Sequence, residues 1–321
     1  MTKVLVTGST GMVGSHFCDY LLSLGNIDIV GLKRWRSPMD NVKHLQDKIR
    51  FYDGDLKDFS SILKLIVHEK PDIIFHFAAQ SEVRISFDMP HETFYDNILG
   101  TLNLLEAIRM GLPDYNPIVV IASSSEVYGQ VSKEDLPIKE TCPLRPMSPY
   151  AVSKVAEDML GFQYFQSYGM KIIRTRLFTH TGARRHEAFH ESSFAKQIAL
   201  IEKGLQDPII KVGNLDSVRT YLDIKDAVRA YWMVKDCPAG EVYNIGGDWT
   251  CTVGQTLDYL IAWSTYGGEI KVEVDQRRIR PSDVTNQVPD TSRFKQATGW
   301  KKEVPFKDTI QSLLDYWRER V

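Results

Sequence analysis

The sequence has few cysteines, little net charge and no long apolar run. Its four cysteines, Cys18, Cys142, Cys237 and Cys251, include no Cys-x-x-Cys pair, which favours a reduced, cytoplasmic protein. Lys and Arg (39) nearly balance Asp and Glu (41), so bulk charge gives no support for binding to nucleic acid or to a membrane surface. No apolar stretch is long enough to cross a bilayer, and the first residues run directly into a predicted strand. We therefore expect neither a membrane anchor nor a signal peptide.

Short β-branched runs alternate with longer amphipathic stretches through the first half of the chain. The runs predict strands over 3–7, 27–32, 49–52, 72–78, 118–123 and 171–177. The stretches predict helices over 13–25, 59–69, 93–109 and 150–168. Strands and helices that alternate at this spacing form a parallel sheet with helices on both faces. The sequence therefore predicts an α/β fold of the Rossmann type, with a doubly wound parallel sheet.

Beyond residue 178 the alternation is less regular. Helical segments are predicted near 191–204, 224–235, 253–265 and 306–319, with short strands near 209–212, 242–245 and 270–274. Thr252 and Gln255 have the spacing of a capping box at the start of the third helix. We expect a Rossmann domain over residues 1–178, to which some later segments return. Residues 179–321 are predicted to form a smaller, substrate-binding lobe.

A glycine-rich turn, VTGSTGMVGS, follows the first predicted strand. Gly8, Gly11 and Gly14 allow a tight turn, close approach of a pyrophosphate and packing of the next helix on the sheet. Phosphates would then rest on N–H groups at the helix N-terminus. This context predicts dinucleotide binding. Further contacts to the cofactor are expected from Thr10, Met12, Val13, Asp55, Leu56, Ala78, Ala79, Tyr150 and Lys154.

The second strand ends in basic residues rather than an acidic one. An NAD site usually has a carboxylate here, about 20 residues past the glycines, to bind the ribose 2′-hydroxyl. Lys33, Arg34 and Arg36 occupy this region instead. Cations at this position attract a 2′-phosphate, so the sequence predicts NADP as the cofactor. The alternative is that they are solvated surface charges.

Tyr150 and Lys154 lie four residues apart at the start of a predicted helix, so both project from one face. A tyrosine hydroxyl, with a pKa near ~10, is a poor base at neutral pH. A lysine ammonium one turn away, together with the positive charge of a nicotinamide, favours the phenolate and lowers that pKa. Ser124, at the end of the fifth strand, is placed to bind a reacting hydroxyl or carbonyl. Tyr128 has no partner lysine and is predicted to pack.

The chain resembles the extended short-chain dehydrogenase/reductase family over essentially its whole length, on its glycine spacing together with Ser124, Tyr150 and Lys154. Its segments AAQSEVRISF, GTLNLLEAIR, SSSEVYG, SPYAVSK, VGNLDSVRTY and RPSDV are similar to those of GDP-mannose 4,6-dehydratases. The related GDP-4-keto-6-deoxymannose reductases share LRPMSPYAVSK, FAKQIA and VGNLDSVR. The resemblance implies a nucleotide-diphosphate sugar as substrate, GDP-linked, that reacts at C4 against the nicotinamide.

The resemblance also implies a role for Glu126. In a 4,6-dehydration, hydride leaves C4 for NADP⁺ while Tyr150 takes the hydroxyl proton. The 4-keto group acidifies C5–H, and the glutamate removes this proton as water leaves from C6. The hydride then returns to C6. The reductases carry a glutamate in the same motif, so Glu126 indicates the sugar-nucleotide family more strongly than it indicates dehydration.

The second lobe supplies candidate contacts to the substrate. The resemblance places Arg219 and Arg280 at the diphosphate, and Asp283 is a candidate acceptor for a ribose hydroxyl or a base edge. Further contacts are expected from Ser81, Ser125, Glu126, Thr179, Lys196 and Val212. The alternative for the charged and capping residues among them is an ordinary surface ion or cap. Two positions depart from the family, with Thr179 in place of asparagine and Ser193 in place of a lysine common in dehydratases.

His186, Glu187 and His190 match the H-E-x-x-H pattern of zinc enzymes. The stretch follows two arginines, lacks a clear apolar face and has no evident third ligand, so no metal is expected. By resemblance, Arg184 and Arg185 form a loop that reaches the cofactor of a neighbouring subunit. Arg184 is therefore a predicted cofactor contact, and a homodimer or homotetramer is expected.

The residues and the resemblance together favour an NADP-dependent 4,6-dehydratase acting on GDP-mannose. The first alternative is an NADPH-dependent reductase of the 4-keto sugar. A nucleotide-sugar epimerase and a cofactor-binding protein without activity are further alternatives. The intact set of Ser124, Tyr150 and Lys154 argues against the last of these.

Overall fold

A computed structural model describes all residues from Met1 to Val321 and contains thirteen strands and eleven α-helices. The strands are β1 (Thr2–Thr7), β2 (Ile27–Lys33), β3 (Arg50–Asp53), β4 (Ile73–His76), β5 (Ile118–Ala122), β6 (Ile172–Leu177), β7 (His180–Thr181), β8 (Ile209–Val212), β9 (Val218–Asp223), β10 (Val242–Ile245), β11 (Trp249–Thr252), β12 (Lys271–Val274) and β13 (Asn286–Gln287). The helices are α1 (Met12–Leu24), α2 (Phe59–Glu69), α3 (Val83–Asp88), α4 (Pro90–Phe94), α5 (Gly100–Gly111), α6 (Pro149–Tyr168), α7 (His190–Glu202), α8 (Ile224–Val234), α9 (Val253–Ala262), α10 (Ser292–Thr298) and α11 (Phe306–Arg318). No helix is both long and apolar enough to span a membrane.

The main sheet has seven parallel strands in the order β10-β6-β5-β4-β1-β2-β3. The chain winds outward from β1 in both directions, which confirms the predicted doubly wound fold. The carboxyl ends of β1 and β4 are neighbours, since Thr7 pairs with His76. Ligands of such sheets bind at the point where the strand order reverses.

Apolar side chains cover both faces of the sheet. One core includes α1 and α8, with the rings of Phe17 and Phe75 packed 4.4 Å apart. The other includes α2, α5 and α6, with fully buried residues such as Leu65, Leu104 and Leu105. Burial on both faces explains why these strands are apolar at nearly every position rather than at alternate ones.

The later part of the chain divides between the two regions. Val242–Ile245, predicted among the strands of the second part, pairs with Arg174–Leu177 as the seventh strand of the main sheet. The other late strands form a sheet around β9, which pairs with β7, β11 and β13, and a separate β8–β12 ribbon. With α7, α9 and α11 they enclose a third core. We call the sheet around β9, the β8–β12 ribbon, the helices α7, α9 and α11 and the segment 275–285 the second lobe. The predicted domain boundary at residue 178 stays a prediction.

Two local predictions had different outcomes. The capping box at Thr252 and Gln255 is confirmed, with reciprocal hydrogen bonds of 3.0 and 2.9 Å. The helix predicted over 93–109 is helical throughout, but a π-helical turn at Tyr95–Leu99 divides it into α4 and α5. The turn directs the Asn97 amide inward, where it donates to the Ser153 hydroxyl at 2.8 Å.

Candidate active site

A cavity of about 700 Å³ lies between the carboxyl ends of the central strands and the second lobe. It brings together most of the residues predicted to contact cofactor or substrate. These are Gly8, Thr10, Gly11, Met12, Val13, Gly14, Lys33, Arg34, Asp55, Leu56, Ala78, Ala79, Ser81, Ser124, Ser125, Glu126, Tyr150, Lys154, Thr179, Arg184, Arg219 and Arg280. One cavity therefore contains the glycine turn, the tyrosine–lysine pair and part of the second lobe.

The glycine turn forms a backbone cradle at the start of α1. Gly8 has φ +66°, and a Cβ atom there would lie 2.8 Å from the Ala78 nitrogen. A Cβ on Gly14 would lie 2.2 Å from the Gly8 carbonyl oxygen. Side chains are thus excluded where the helix meets the strand, which leaves N–H groups at the helix N-terminus facing the cavity. These features fit the phosphates of a dinucleotide.

The basic end of β2 contains three differently placed cations. Lys33 forms an ion pair with Asp53 at the end of β3. Arg34 lines the cavity and has no side-chain ion pair. Arg36 does not line the cavity, since its guanidinium carbon lies 5.2 Å from the exposed Trp35 ring. Arg34 is therefore the cation best placed for a phosphate at this end.

Tyr150 and Lys154 lie in the first turns of α6. Ser148 caps this helix by accepting the Ala151 N–H at 3.0 Å, and Pro149 occupies its first position. Burial raises the pKa of the Tyr150 hydroxyl, against the opposing effects of Lys154 and Ser124. Lys154 acts on this pKa in the direction expected from the sequence. Desolvation outweighs Lys154 and Ser124 in the protein alone, and the lowering expected when the positive charge of a nicotinamide is added stays a prediction.

Glu126 lies on a 3-10 turn, Ser125–Tyr128, directly after β5. The Ser124 hydroxyl begins this turn by accepting the Glu126 N–H at 3.2 Å. The Glu126 carboxylate accepts a hydrogen bond of 3.1 Å from Gln287 Nε2, and Ser125 donates to Gln287 Oε1 at 2.9 Å. Gln287 thereby fixes two predicted site residues. Tyr128 faces away from the cavity and donates to Asn244 at 2.7 Å.

Guanidinium groups from the second lobe are largely engaged by the protein itself. Arg219 donates to the Val284 carbonyl at 2.9 Å and lies 3.4 Å from Asp283. Asp283 also accepts from Ser217 at 2.8 Å. Arg280 approaches Asp283 only to 3.8 Å, and so it is the less committed of the two arginines.

Four predicted site residues lie outside the main cavity. Besides Arg36, these are Lys196, Val212 and Asp283. Lys196 pairs with Glu187, and it lines an adjoining cavity together with Asp283. Val212 is fully buried in the core of the second lobe, since alternate residues of β8 face that core.

The H-E-x-x-H segment does not form a helical pair of histidines, because α7 begins only at His190. His186 lies 3.0 Å from Glu82, an interaction that raises its pKa. Nε2 of His190 lies 2.8 Å from the Tyr221 hydroxyl, and burial lowers the pKa of His190 to about 4. The structure has no cluster of His, Cys, Asp and Glu suited to a metal ion.

The two arginines that precede this segment interact with carboxylates of the same chain. Arg184 has φ +67° and pairs with Asp19 at 2.7 Å. Arg185 turns inward, where its Nε lies 3.3 Å from Glu191. The loop reaching a neighbouring subunit therefore stays a prediction.

Several cavity residues have no counterpart among the predictions. Asn41 lines the cofactor side and donates to the Thr10 carbonyl at 3.1 Å. His180, Tyr231 and Gln287 line the part nearer Tyr150. None belongs to a recognisable motif, and Gln287 lies 161 positions after the glutamate it contacts. Only the fold brings them to the site.

Comparison with known proteins is consistent with this geometry. The family model for GDP-mannose 4,6 dehydratase matches residues 5–313. A GDP-mannose 4,6-dehydratase of Yersinia enterocolitica is 33% identical over 98% of this chain and 93% of its own. A GDP-6-deoxy-D-mannose reductase of Pseudomonas aeruginosa is 31% identical over 99% and 98%. The structure of RMD from Pseudomonas aeruginosa, complexed with NADPH, aligns over the full length of both chains with TM-score 0.86 and 30% identity. The chain belongs to the GDP-mannose 4,6-dehydratase family, within the extended short-chain dehydrogenases/reductases.

Proposed function

We propose that this protein is an NADP-dependent 4,6-dehydratase that converts GDP-mannose to GDP-4-keto-6-deoxymannose. The observation that carries the proposal is the presence of Ser124, Glu126 and Tyr150 in one cavity, with Gln287 bonded to the Glu126 carboxylate. A hydroxyl acid–base group and a separate carboxylate are the two groups that oxidation at C4 and deprotonation at C5 require.

Each reacting group has a distinct task in this proposal. Tyr150 takes the proton of the C4 hydroxyl, and Ser124 donates a hydrogen bond to the oxygen that becomes the ketone. Glu126 removes the C5 proton, which the ketone has acidified, and returns it to the C6 hydroxyl, which leaves as water. When C6 later receives hydride, C5 takes up a proton, which balances the proton given to Tyr150. A bound nicotinamide would accept the hydride from C4 and return it to C6. The net change is loss of one water, with no consumption of cofactor.

Gln287 orients the carboxylate in this scheme. Its amide donates to one oxygen of Glu126, which leaves the other oxygen for the C5 proton. The Ser125 hydroxyl fixes the amide in turn by donating to its oxygen. This arrangement holds the carboxylate in place through hydrogen bonds from neutral groups rather than through a charged partner.

The preference for NADP is supported by the basic end of β2 and by the NADPH in the similar RMD structure. Arg34 is the residue proposed to bind the 2′-phosphate. The proposed nucleotide-sugar site continues into the adjoining cavity, whose cations include Lys196 and Arg280. These charges suit a diphosphate.

A reductase acting on the 4-keto product is the second candidate. It is favoured by the similarity to the GDP-6-deoxy-D-mannose reductase, which spans nearly all of both chains. In that reaction Tyr150 would donate a proton to the C4 oxygen, and Glu126 would only contact the sugar. The two functions therefore differ in whether Glu126 moves a proton.

We also propose that the protein forms a homodimer or homotetramer in the cytoplasm. The outer faces of α6 and the adjoining π-helical turn expose apolar side chains, among them Tyr95, Val152, Met159 and Phe162. Several exposed apolar side chains on adjoining helical segments are typical of interfaces. Light scattering on the purified protein tests this, and a monomer at micromolar concentration would contradict it.

Incubation of the purified protein with GDP-mannose and no added cofactor tests the proposed function. We expect a product lighter by one water, detected by mass spectrometry, and no net consumption of NADPH. If GDP-mannose stays unchanged while the 4-keto sugar nucleotide is reduced with NADPH, the reductase is correct.

A further inference from the structure

Lys154 forms a buried ion pair with a carboxylate that no motif identifies. Its Nζ donates to Glu157 Oε2 at 2.6 Å, and the two side chains are 4% and 1% exposed. Glu157 follows Lys154 by three residues on α6. Lys154 lines the cavity and Glu157 does not, so the carboxylate lies on the side of the ammonium that faces away from the cavity. The pair thus connects the proposed reaction centre to the interior of the protein.

The Glu157 carboxylate is only half satisfied. Its second oxygen, Oε1, is buried and has no hydrogen-bond partner. The next residue, Asp158, differs from Glu157 in that both of its carboxylate oxygens are paired. They accept hydrogen bonds from Arg174 and Arg176 at 2.8 Å each, as expected of a carboxylate with a structural role. A buried charge with a single partner adds little to stability, and such charges are concentrated at functional sites.

The charges around the pair come from several elements. On β4, His76 bonds to Thr7 and Thr101 and stays neutral, since burial lowers its pKa to about 3. On β6, Arg174 and Arg176 both form ion pairs with Asp158. Across the cavity, the Glu126 carboxylate raises the pKa of the Tyr150 hydroxyl, and the Arg185 guanidinium acts on it in the opposite direction. Lys154 is therefore the only cation paired with Glu157.

The two members of the pair act on Tyr150 in opposite directions. The Lys154 ammonium lowers the pKa of the Tyr150 hydroxyl, and the Glu157 carboxylate raises it. Burial raises the pKa of Glu157 itself to about 7, although Lys154 opposes this. An ionised Glu157 makes the pair neutral overall, and a protonated Glu157 leaves the ammonium uncompensated.

We propose that Glu157 is a positioning residue that sets how much of the Lys154 positive charge reaches the Tyr150 hydroxyl. The proposal rests on the proposed function only in taking Tyr150 as the group that exchanges a proton with substrate. Glu157 holds the ammonium in place and, while ionised, restrains formation of the phenolate. The charge of this one carboxylate thereby adjusts the pH at which Tyr150 becomes a base.

Glu157→Gln separates charge from geometry, because the amide oxygen still accepts from Nζ. Glu157→Asp keeps the charge, and Glu157→Met removes it with a side chain of similar length if the Gln variant does not fold. Asp158→Asn is the matched control, since it removes the neighbouring buried carboxylate on the same helix. Thermal melting shows which variants are folded.

The readout is the titration of Tyr150, followed by NMR on protein labelled at tyrosine Cζ, with the signal assigned through Tyr150→Phe. We expect Glu157→Gln, or Glu157→Met in its place, to lower the titration midpoint by roughly one pH unit. Glu157→Asp should retain the parent midpoint. Asp158→Asn should lower the melting temperature and move the midpoint much less. An unchanged midpoint in the folded, charge-removing variant would overturn the proposal.

The pH dependence of kcat/KM gives a second readout. The acidic limb should move to lower pH in Glu157→Gln, whereas a purely structural role would lower activity equally at every pH. The NMR titration needs no substrate. If Tyr150 shifts as expected while no sugar nucleotide is converted, the proposed function fails and the role of Glu157 stands.

Discussion

The two walls of the cavity use their polar groups differently. The wall built by residues 1–178 presents a hydroxyl at Ser124, a phenol at Tyr150 and a carboxylate at Glu126, all placed by strand ends and first helical turns. The wall built by the second lobe presents arginines that hold its own carbonyls and carboxylates, as Arg219 does. In the proposed function, the groups of the first wall are in place before a substrate arrives, whereas arginines of the second wall such as Arg219 must exchange partners to bind one. Substitutions of Ser124, Glu126 or Tyr150 should lower kcat, and substitutions of the second-lobe arginines should raise KM.

The largest effect is expected for Tyr150→Phe. Removing the hydroxyl abolishes proton exchange at the C4 oxygen, and general acid–base groups of this kind contribute about 10²- to 10⁴-fold. We expect kcat to fall by roughly 10³-fold, with a much smaller change in the affinity for NADP, measured by calorimetry. Tyr128→Phe, which alters a buried tyrosine facing away from the cavity, is the control and should retain most of the activity.

Glu126→Gln should lower the rate of dehydration by about 10²-fold or more, since the amide cannot remove the C5 proton. Oxidation at C4 should survive, and reduced nicotinamide should accumulate after substrate is added. The exposed Glu134→Gln, on the following 3-10 turn, should behave as the parent. Dehydration at the parent rate in Glu126→Gln would mean that another group is the base.

The second wall is tested by Arg280→Ala. A hydrogen bond to a charged group contributes about 1.5–3 kcal/mol, so KM for the nucleotide sugar should rise by roughly 10- to 100-fold with little change in kcat. Lys301→Ala, at an exposed site far from both cavities, should have no effect. A fall in kcat with unchanged KM would contradict the division of tasks between the walls.

The smallest expected effect concerns the cofactor. Arg34→Ala should weaken the binding of NADP by about tenfold and leave the binding of NAD unchanged, because only NADP carries the 2′-phosphate. Arg36→Ala should change neither, since that guanidinium lies over Trp35 and does not line the cavity. Equal losses for both cofactors would show that Arg34 does not contact the phosphate.

The difference between the two walls also explains which parts of the fold and of the site could be predicted from the sequence. In the first 178 residues, strand runs, glycine spacing and the tyrosine–lysine interval are local patterns set by backbone geometry, and the six predicted strands are all confirmed. The mutual placement of Gly8, Tyr150 and Lys154 then follows from the order of strands in a parallel sheet. The π-helical turn within 93–109 could not be predicted, because it depends on buried amide contacts of Asn97.

The second lobe was less predictable because its contacts are distant in sequence. β9 has polar residues at positions that the fold buries, such as Arg219 and Thr220, so alternation does not mark it as a strand. Gln287 reaches Glu126 only because β13 pairs with β9. The sequence around Glu157 does not indicate that its carboxylate pairs with Lys154 in a buried site. Oppositely charged residues three positions apart on a helix more often form an ion pair exposed to solvent.

The fate of the C4 hydrogen tests the proposed transfer of hydride from C4 to C6. GDP-mannose labelled with deuterium at C4 would be converted without added cofactor, and the product analysed by mass spectrometry and NMR. We expect the deuterium in the C6 methyl group and a C5 hydrogen that comes from solvent. Absence of any product from GDP-mannose, or a product whose C6 carries no deuterium, would contradict it.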